Sequence, residues 1–229
     1  MTWKFIPGSL VRISAGSVTN VWGVDSAQKV YRYTGDDKNP WVNIPGILLT
    51  DIGAAADGTV WGVNAASEIF RYRWDTNNWT KVVGALSRIS AGSRTNVWGV
   101  NGAGAIFRYT GDDKNPWHGI PGSLTDIGAG ADGTVWGVNR DGTAFRYTGD
   151  EGDPNYWVGI AGSNLSAISA GIKTNVWGVS STGSIFTSLG DDKVPWLQVD
   201  GSLSDIGAGT DGVVWGVNGA SSVFRWVRD

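Results

Sequence analysis

Four residues, Val-Trp-Gly-Val, occur six times in this chain of 229 residues, at 21–24, 60–63, 97–100, 135–138, 176–179 and 214–217. Their tryptophans, Trp22, Trp61, Trp98, Trp136, Trp177 and Trp215, lie 37 to 41 residues apart. Self-similarity at a period near forty marks a repeat architecture, whose units bury their apolar faces only by stacking on one another.

Each repeat holds four short segments. The first reads Leu-x-x-Ile-x-Ala/Gly-Gly/Ala, as at residues 10–16 and 124–130, and the second is the Val-Trp-Gly-Val run. The third is aliphatic-aromatic-Arg-Tyr, as at 69–72, and the fourth is Trp-x-x-Ile/Val, as at 41–44 and 117–120. Short segments rich in β-branched and aromatic residues read as strands. Asp57-Gly58, Asp132-Gly133, Asp211-Gly212 and Asp141-Gly142 supply hairpin turns between them. The 35 glycines and 7 prolines agree with many strands joined by tight turns. The expected fold is all-β: a single six-bladed β-propeller over residues 1–229, with four-stranded antiparallel blades and repeats of about 38 residues.

The two ends complete each other. Residues 3–8 form a fourth segment without its own repeat, and residues 224–226 form a third segment with no fourth after it. The N-terminal strand is therefore expected to complete the last blade and close the ring, which removes an open sheet edge.

A two-repeat period lies over the first. Repeats one, three and five carry Ser-Ala-Gly-x-x-Thr-Asn before Val-Trp, at 14–20, 90–96 and 169–175. Repeats two, four and six carry Asp-Ile-Gly-Ala followed by Asp-Gly. Blade chemistry should alternate around the ring.

Several function classes fall away. The net charge of −3 is scattered without a basic stripe, which argues against nucleic acid and anionic membranes as partners. No apolar stretch is long enough to insert in a membrane. With no cysteine and one histidine, His118, neither a thiol nucleophile nor a His/Cys metal site can be built. No catalytic residue, metal or cofactor is expected. The acidic pairs Asp36-Asp37, Asp112-Asp113, Asp150-Glu151 and Asp191-Asp192 read as solvated turns, with calcium ligation the alternative. The N-terminus has no secretory apolar run, so a cytoplasmic location is expected, with action after release or ingestion.

What repeats with the tryptophans is arginine and short polar groups. Arg32, Arg71, Arg108, Arg146 and Arg225 stand on the third segment, and Asp25, Asn64, Asn101, Asn139 and Asn218 follow the second. One hairpin register sets Trp136 opposite Arg146; a slip of one residue sets it opposite Phe145. An aromatic face with planar donors and amides suits a sugar ring and its hydroxyls. The same tryptophans could instead be inter-blade packing, and the Asn and Asp residues turn formers.

At these residues the sequence resembles the tectonin family, whose repeats carry Val-Trp-Gly-Val-Asn followed by Gly-x-Ile-Phe-Arg. Residues 101–108 match closely, as do 64–71. The resemblance is strongest to the fungal tectonin lectins that recognise O-methylated glycans in defence against bacteria and nematodes. It implies a non-enzymatic ring of six sites binding O-methylated mannose or fucose, a methyl group seated by Trp-Gly and Ala-Gly. Self-association, for example into a tetramer, would multiply those sites. Repeat five departs, with Ser180, Thr187 and Ser188 in place of Asn, Arg and Tyr. The alternative implied by other family members is an intracellular protein-interaction scaffold.

Overall fold

A computed structural model describes residues 1–149, 155–162, 164–191 and 194–227. The described chain is six four-stranded antiparallel sheets arranged as six blades. Blade 1 runs through Arg12–Ser17, Asn20–Val24, Lys29–Tyr33 and Trp41–Leu48. Blades 2 to 5 follow within 51–82, 88–120, 126–160 and 165–199. Blade 6 takes Asp205–Ala208, Val214–Val217 and Ser222–Val227 from the C-terminal end, and Thr2–Ser9 from the N-terminal end. Thr2 pairs with Val227 and Phe5 with Phe224, so the N-terminal strand closes the ring as expected.

The open register question is settled by the pairing of Trp136 with Arg146; Trp22, Trp61, Trp98 and Trp215 face Arg32, Arg71, Arg108 and Arg225 in the same way. The Trp-Gly pair works on both sides of its strand. On one side, a Cβ built on Gly23 would stand 2.5 Å from Leu10 Cδ1, so only glycine admits the leucine that leads into each blade. On the other side, each tryptophan crosses into the next blade. Trp22 lies against Tyr72 and Trp79, Trp61 against Tyr109 and Trp117, and Trp98 against Tyr147 and Trp157. Trp215 closes the circle on Tyr33 and Trp41 of blade 1. The core is thus a set of inter-blade aromatic clusters, each ring pair contributing about 0.5–1.5 kcal/mol beyond its buried area.

The blade 4–blade 5 junction has a gap in this pattern. Ser188 stands where blades 1 to 4 have Tyr, and among the described residues Trp196 is the one aromatic ring paired with Trp136. In the blade 5–blade 6 junction Trp226 takes the tyrosine place against Trp177.

Candidate functional site: the grooves between blades

The tryptophans offered as a sugar-stacking wall are instead buried packing. Trp22 and Trp215 are 0% exposed, and Trp61, Trp98, Trp136 and Trp177 range from 1% to 6%. The next blade's aromatics pack against all six rings and arginine lies over four of them, and this burial leaves no open face for a sugar to stack on. Arg71, Arg108, Arg146 and Arg225 place their guanidinium carbons 5.3 to 6.0 Å from the rings of Trp61, Trp98, Trp136 and Trp215. That follows from the cross-strand register, which sets arginine and tryptophan side by side on one face.

The amide positions have a structural role of their own. Asn101 Oδ1 accepts from the backbone N–H groups of Ala103 and Ala105, and Asn64, Asn139 and Asn218 do the same in their blades. Asp25 accepts from Lys29 N–H and the Tyr31 hydroxyl. These are the side chains that build the turn between the second and third strands. The turn ends on a left-handed residue, Gly104 at φ 88° and Ser67 at φ 63°. They follow the tryptophan by three residues, about 10 Å along an extended strand, and so belong to the opposite face of the ring. One site cannot gather all three residue types.

The acidic turns have definite partners. Asp37 accepts from Lys4, Tyr33 and Arg225, and Asp113 from Tyr109 and Arg71. Burial works to raise the Asp37 carboxyl, but the hydrogen bonds from Lys4 and Tyr33 and the Arg225 charge outweigh it and hold it at about 2. The hydrogen bond from Tyr109 lowers Asp113, and Arg71 adds to it against burial. Asp36 and Asp112 cap their turns through the backbone N–H groups of Lys38 and Lys114. Among the described residues no group of three His, Cys, Asp or Glu could hold a metal ion. Asp150, Glu151 and Asp192 lie outside the described residues.

The sequence alternation becomes two kinds of junction. In odd blades the indoles of Trp22, Trp98 and Trp177 donate to Asn20, Asn96 and Asn175 at 2.7–2.8 Å. Those asparagines donate in turn to the next blade's carbonyls at Ala55, Gly130 and Gly209. In even blades Thr59, Thr134 and Val213 take the asparagine place, and the indole N–H groups of Trp61, Trp136 and Trp215 have no acceptor. There the next blade is held by Asp57, Asp132 and Asp211, which accept from the backbone N–H groups of Arg94, Lys173 and Val18.

A cavity of about 420 Å³ opens at the blade 6–blade 1 junction. Trp215, Arg225, Trp226, Asp211, Val213 and Val18 line it. Its size falls within the range of small-molecule sites, and its walls combine apolar surface with a carboxylate and a guanidinium. Three of the five N–H donors of a guanidinium are given by Arg225 to Tyr33 and Asp37. A separate cavity of about 410 Å³ lies at one mouth of the central axis, bounded by Arg12, Arg88, Asp25, Gln28, Thr50 and Ser204.

Around that axis the first strands set an alternating ring of charge: Asp205, Arg12, Asp51, Arg88 and Asp126. Arg12 stands 3.3 Å from Asp205 and 3.9 Å from Asp51, and Arg88 3.8 Å from Asp126. Each aspartate accepts from the next blade's backbone, at Ile13, Ile89 and Ile168. Ala167 occupies the place of a third arginine, between Asp126 and Asp205. Burial, with the neighbouring charge of Asp51, pushes the Asp126 carboxyl up to about 7 against the pull of Arg88. The individual residues carried no sign of this ring; the shared Leu-x-Arg-Ile and Leu-x-Asp-Ile offset of alternate repeats was the signal for it.

The tectonin domain matches residues 9–195 of the chain. No curated protein matches it in sequence. Among solved structures it is similar to YCF48 from Cyanidioschyzon merolae, with a TM-score of 0.61 and 17% identity, covering 98% of this chain and 85% of that one. It is also similar to the RRP9 WD40 repeats, with a TM-score of 0.65, 10% identity and coverage of 96% and 80%. A Bacteroides thetaiotaomicron protein of unknown function gives a TM-score of 0.67 at 13% identity, over 97% of this chain and 69% of that one. At these identities the likeness concerns the propeller fold alone. The domain match reaches across the repeats, and the chain belongs to the tectonin family.

Proposed function

We propose that the protein is a lectin that takes O-methylated glycans in its inter-blade grooves, as part of defence against bacteria or nematodes. The observation that carries this reading is the cavity between blades 6 and 1. Val18, Val213 and Trp226 offer an apolar seat for a methyl group, and Arg225 and Asp211 offer a donor and an acceptor for sugar oxygens. Each such site is weak alone, and several on one ring gain avidity on a cell surface that presents repeated glycans.

A glycan array that includes O-methylated mannose and fucose tests the reading. Binding confined to methylated glycans is the expected result; no binding to any glycan would end it. The second reading is a protein-interaction propeller. Its supporting observation is the axial cavity, whose two arginines and missing third make a patch that does not repeat around the ring. Capture of one protein partner by that face, with a silent array, is its signature.

A further inference from the structure

Blade 2 breaks the repeat between its third and fourth strands. Blades 1 and 3 carry Thr-Gly-Asp-Asp-Lys-Asn-Pro there, whereas blade 2 has the shorter Arg73-Trp74-Asp75-Thr76-Asn77. The loop is pinned by Arg73, which donates to Asp75 at 3.2 and 2.8 Å. Trp74 is a large aromatic left 43% exposed in a chain whose second-strand tryptophans are buried.

Its ring is held on three sides. The indole N–H donates to the Gly58 carbonyl at 2.7 Å. Trp22 meets it edge-on at 5.9 Å, and the Arg32 guanidinium lies 5.2 Å from its centre. Trp22 and Arg32 are the blade 1 counterparts of Trp215 and Arg225, by their place in the repeat and by their pairing across the same hairpin. In the blade 6–blade 1 groove, Trp215 and Arg225 line an open cavity whose far wall is Val18. The residue of blade 2 that corresponds to Val18 is Asp57, next to the Gly58 whose carbonyl holds Trp74. Trp74 therefore spans the same three walls that enclose the cavity one junction earlier.

We propose that Trp74 is a built-in plug: it occupies, in the blade 1–blade 2 groove, the place that a ligand takes in the blade 6–blade 1 groove. This rests on the lectin reading for the identity of the ligand, and not for the plug itself. Arg32 faces the indole where Arg225 faces Asp37 and the cavity, so the groove is filled by the protein's own aromatic group. The blade 1–blade 2 groove consequently offers no site of its own, and removing the plug should create one.

Trp74→Ala, with Trp74→Ser as a second variant, is titrated beside the intact chain in a calorimeter, folding being checked by circular dichroism. Two probes are used: O-methylated mannose and 3-methylindole. The expected result is one more mannose site per chain in the variants, and one equivalent of 3-methylindole bound by the variants but not by the intact chain. An unchanged mannose stoichiometry in a chain that binds mannose, or a fall by one, would overturn the plug. If mannose binds neither protein, the lectin reading fails, and 3-methylindole then decides: saturation at one equivalent upholds the plug, and no binding removes it.

Discussion

At the step from blade 3 to blade 4, Asn96 accepts from the Trp98 indole N–H and donates an amide N–H to the Gly130 carbonyl. At the step from blade 2 to blade 3, the indole of Trp61 has no acceptor, and Asp57 and Asp51 reach forward to take the backbone N–H groups of Arg94 and Ile89. The aromatic packing is nearly the same in both, Trp98 on Tyr147 and Trp61 on Tyr109, at 4.9 Å each. Burial of large rings therefore sets the geometry of the ring, and polar groups only need to satisfy whichever backbone atoms the packing strands. Two solutions exist, neutral amide or carboxylate, and the chain uses them in turn. The carboxylate solution brings charge to the axis, through Asp51, Asp126 and Asp205, which makes even-to-odd junctions sensitive to pH.

The largest expected effect comes from removing the shared aromatic. Trp215→Ala should cost about 3–5 kcal/mol in urea unfolding, the range for large-to-small core changes. Trp136→Ala should cost about 1 kcal/mol less, because Ser188 leaves that ring one aromatic partner short. Equal losses would show that the tyrosine adds nothing.

The carboxylate junctions predict a pH dependence. A folded Asp126 held near 7, against an unfolded value of 3.8, binds a proton that the unfolded chain does not. Its contribution is fully present below pH 3.8 and is lost as the pH rises through 7, by up to about 1.4 kcal/mol per pH unit. Burial raises Asp51 and Asp205 as well, which has the same sign. Melting temperature should fall between pH 5 and about 8, and Ala167→Arg should flatten that fall by supplying the absent cation. A flat profile in the parent chain would remove the charge ring from the account.

Exchanging the two solutions sharpens the comparison. Asn96→Thr gives an odd blade the even blade's residue, removes the acceptor of the Trp98 indole and leaves the Gly130 carbonyl with the Gly133 N–H alone. The expected loss is about 1–3 kcal/mol by denaturant unfolding. A change within error would mean that the polar groups of the two junctions are interchangeable. The smallest effect is a gain: Ser188→Tyr restores the missing ring at blade 5 and should add about 0.5–1.5 kcal/mol to the urea midpoint stability.

The fold was legible because it is written in repetition. Six copies of Val-Trp-Gly-Val, a spare strand at one end that fits an unfinished repeat at the other, and an alternating loop specify blade number, closure and a two-blade period, and each has its counterpart in the fold. The candidate site was less legible, because a tryptophan that packs and a tryptophan that binds have the same spacing. Exposure separates them, and exposure depends on what the next blade places over the ring. Trp74 shows the same limit from the other side: it lies outside the repeat, so periodicity passes over it. The Asn residues stand apart from the tryptophans for a geometric reason, since three residues along a strand carry a side chain about 10 Å away.

The most direct test is a crystal of the protein soaked with O-methylated mannose. The account predicts sugar in the blade 6–blade 1 groove, its methyl group against Val18 and Val213 and its oxygens within hydrogen-bond reach of Arg225 and Asp211. It also predicts an empty blade 1–blade 2 groove with Trp74 in place. Sugar stacked on Trp74, or sugar bound only at the axial mouth beside Arg12 and Arg88, would contradict it.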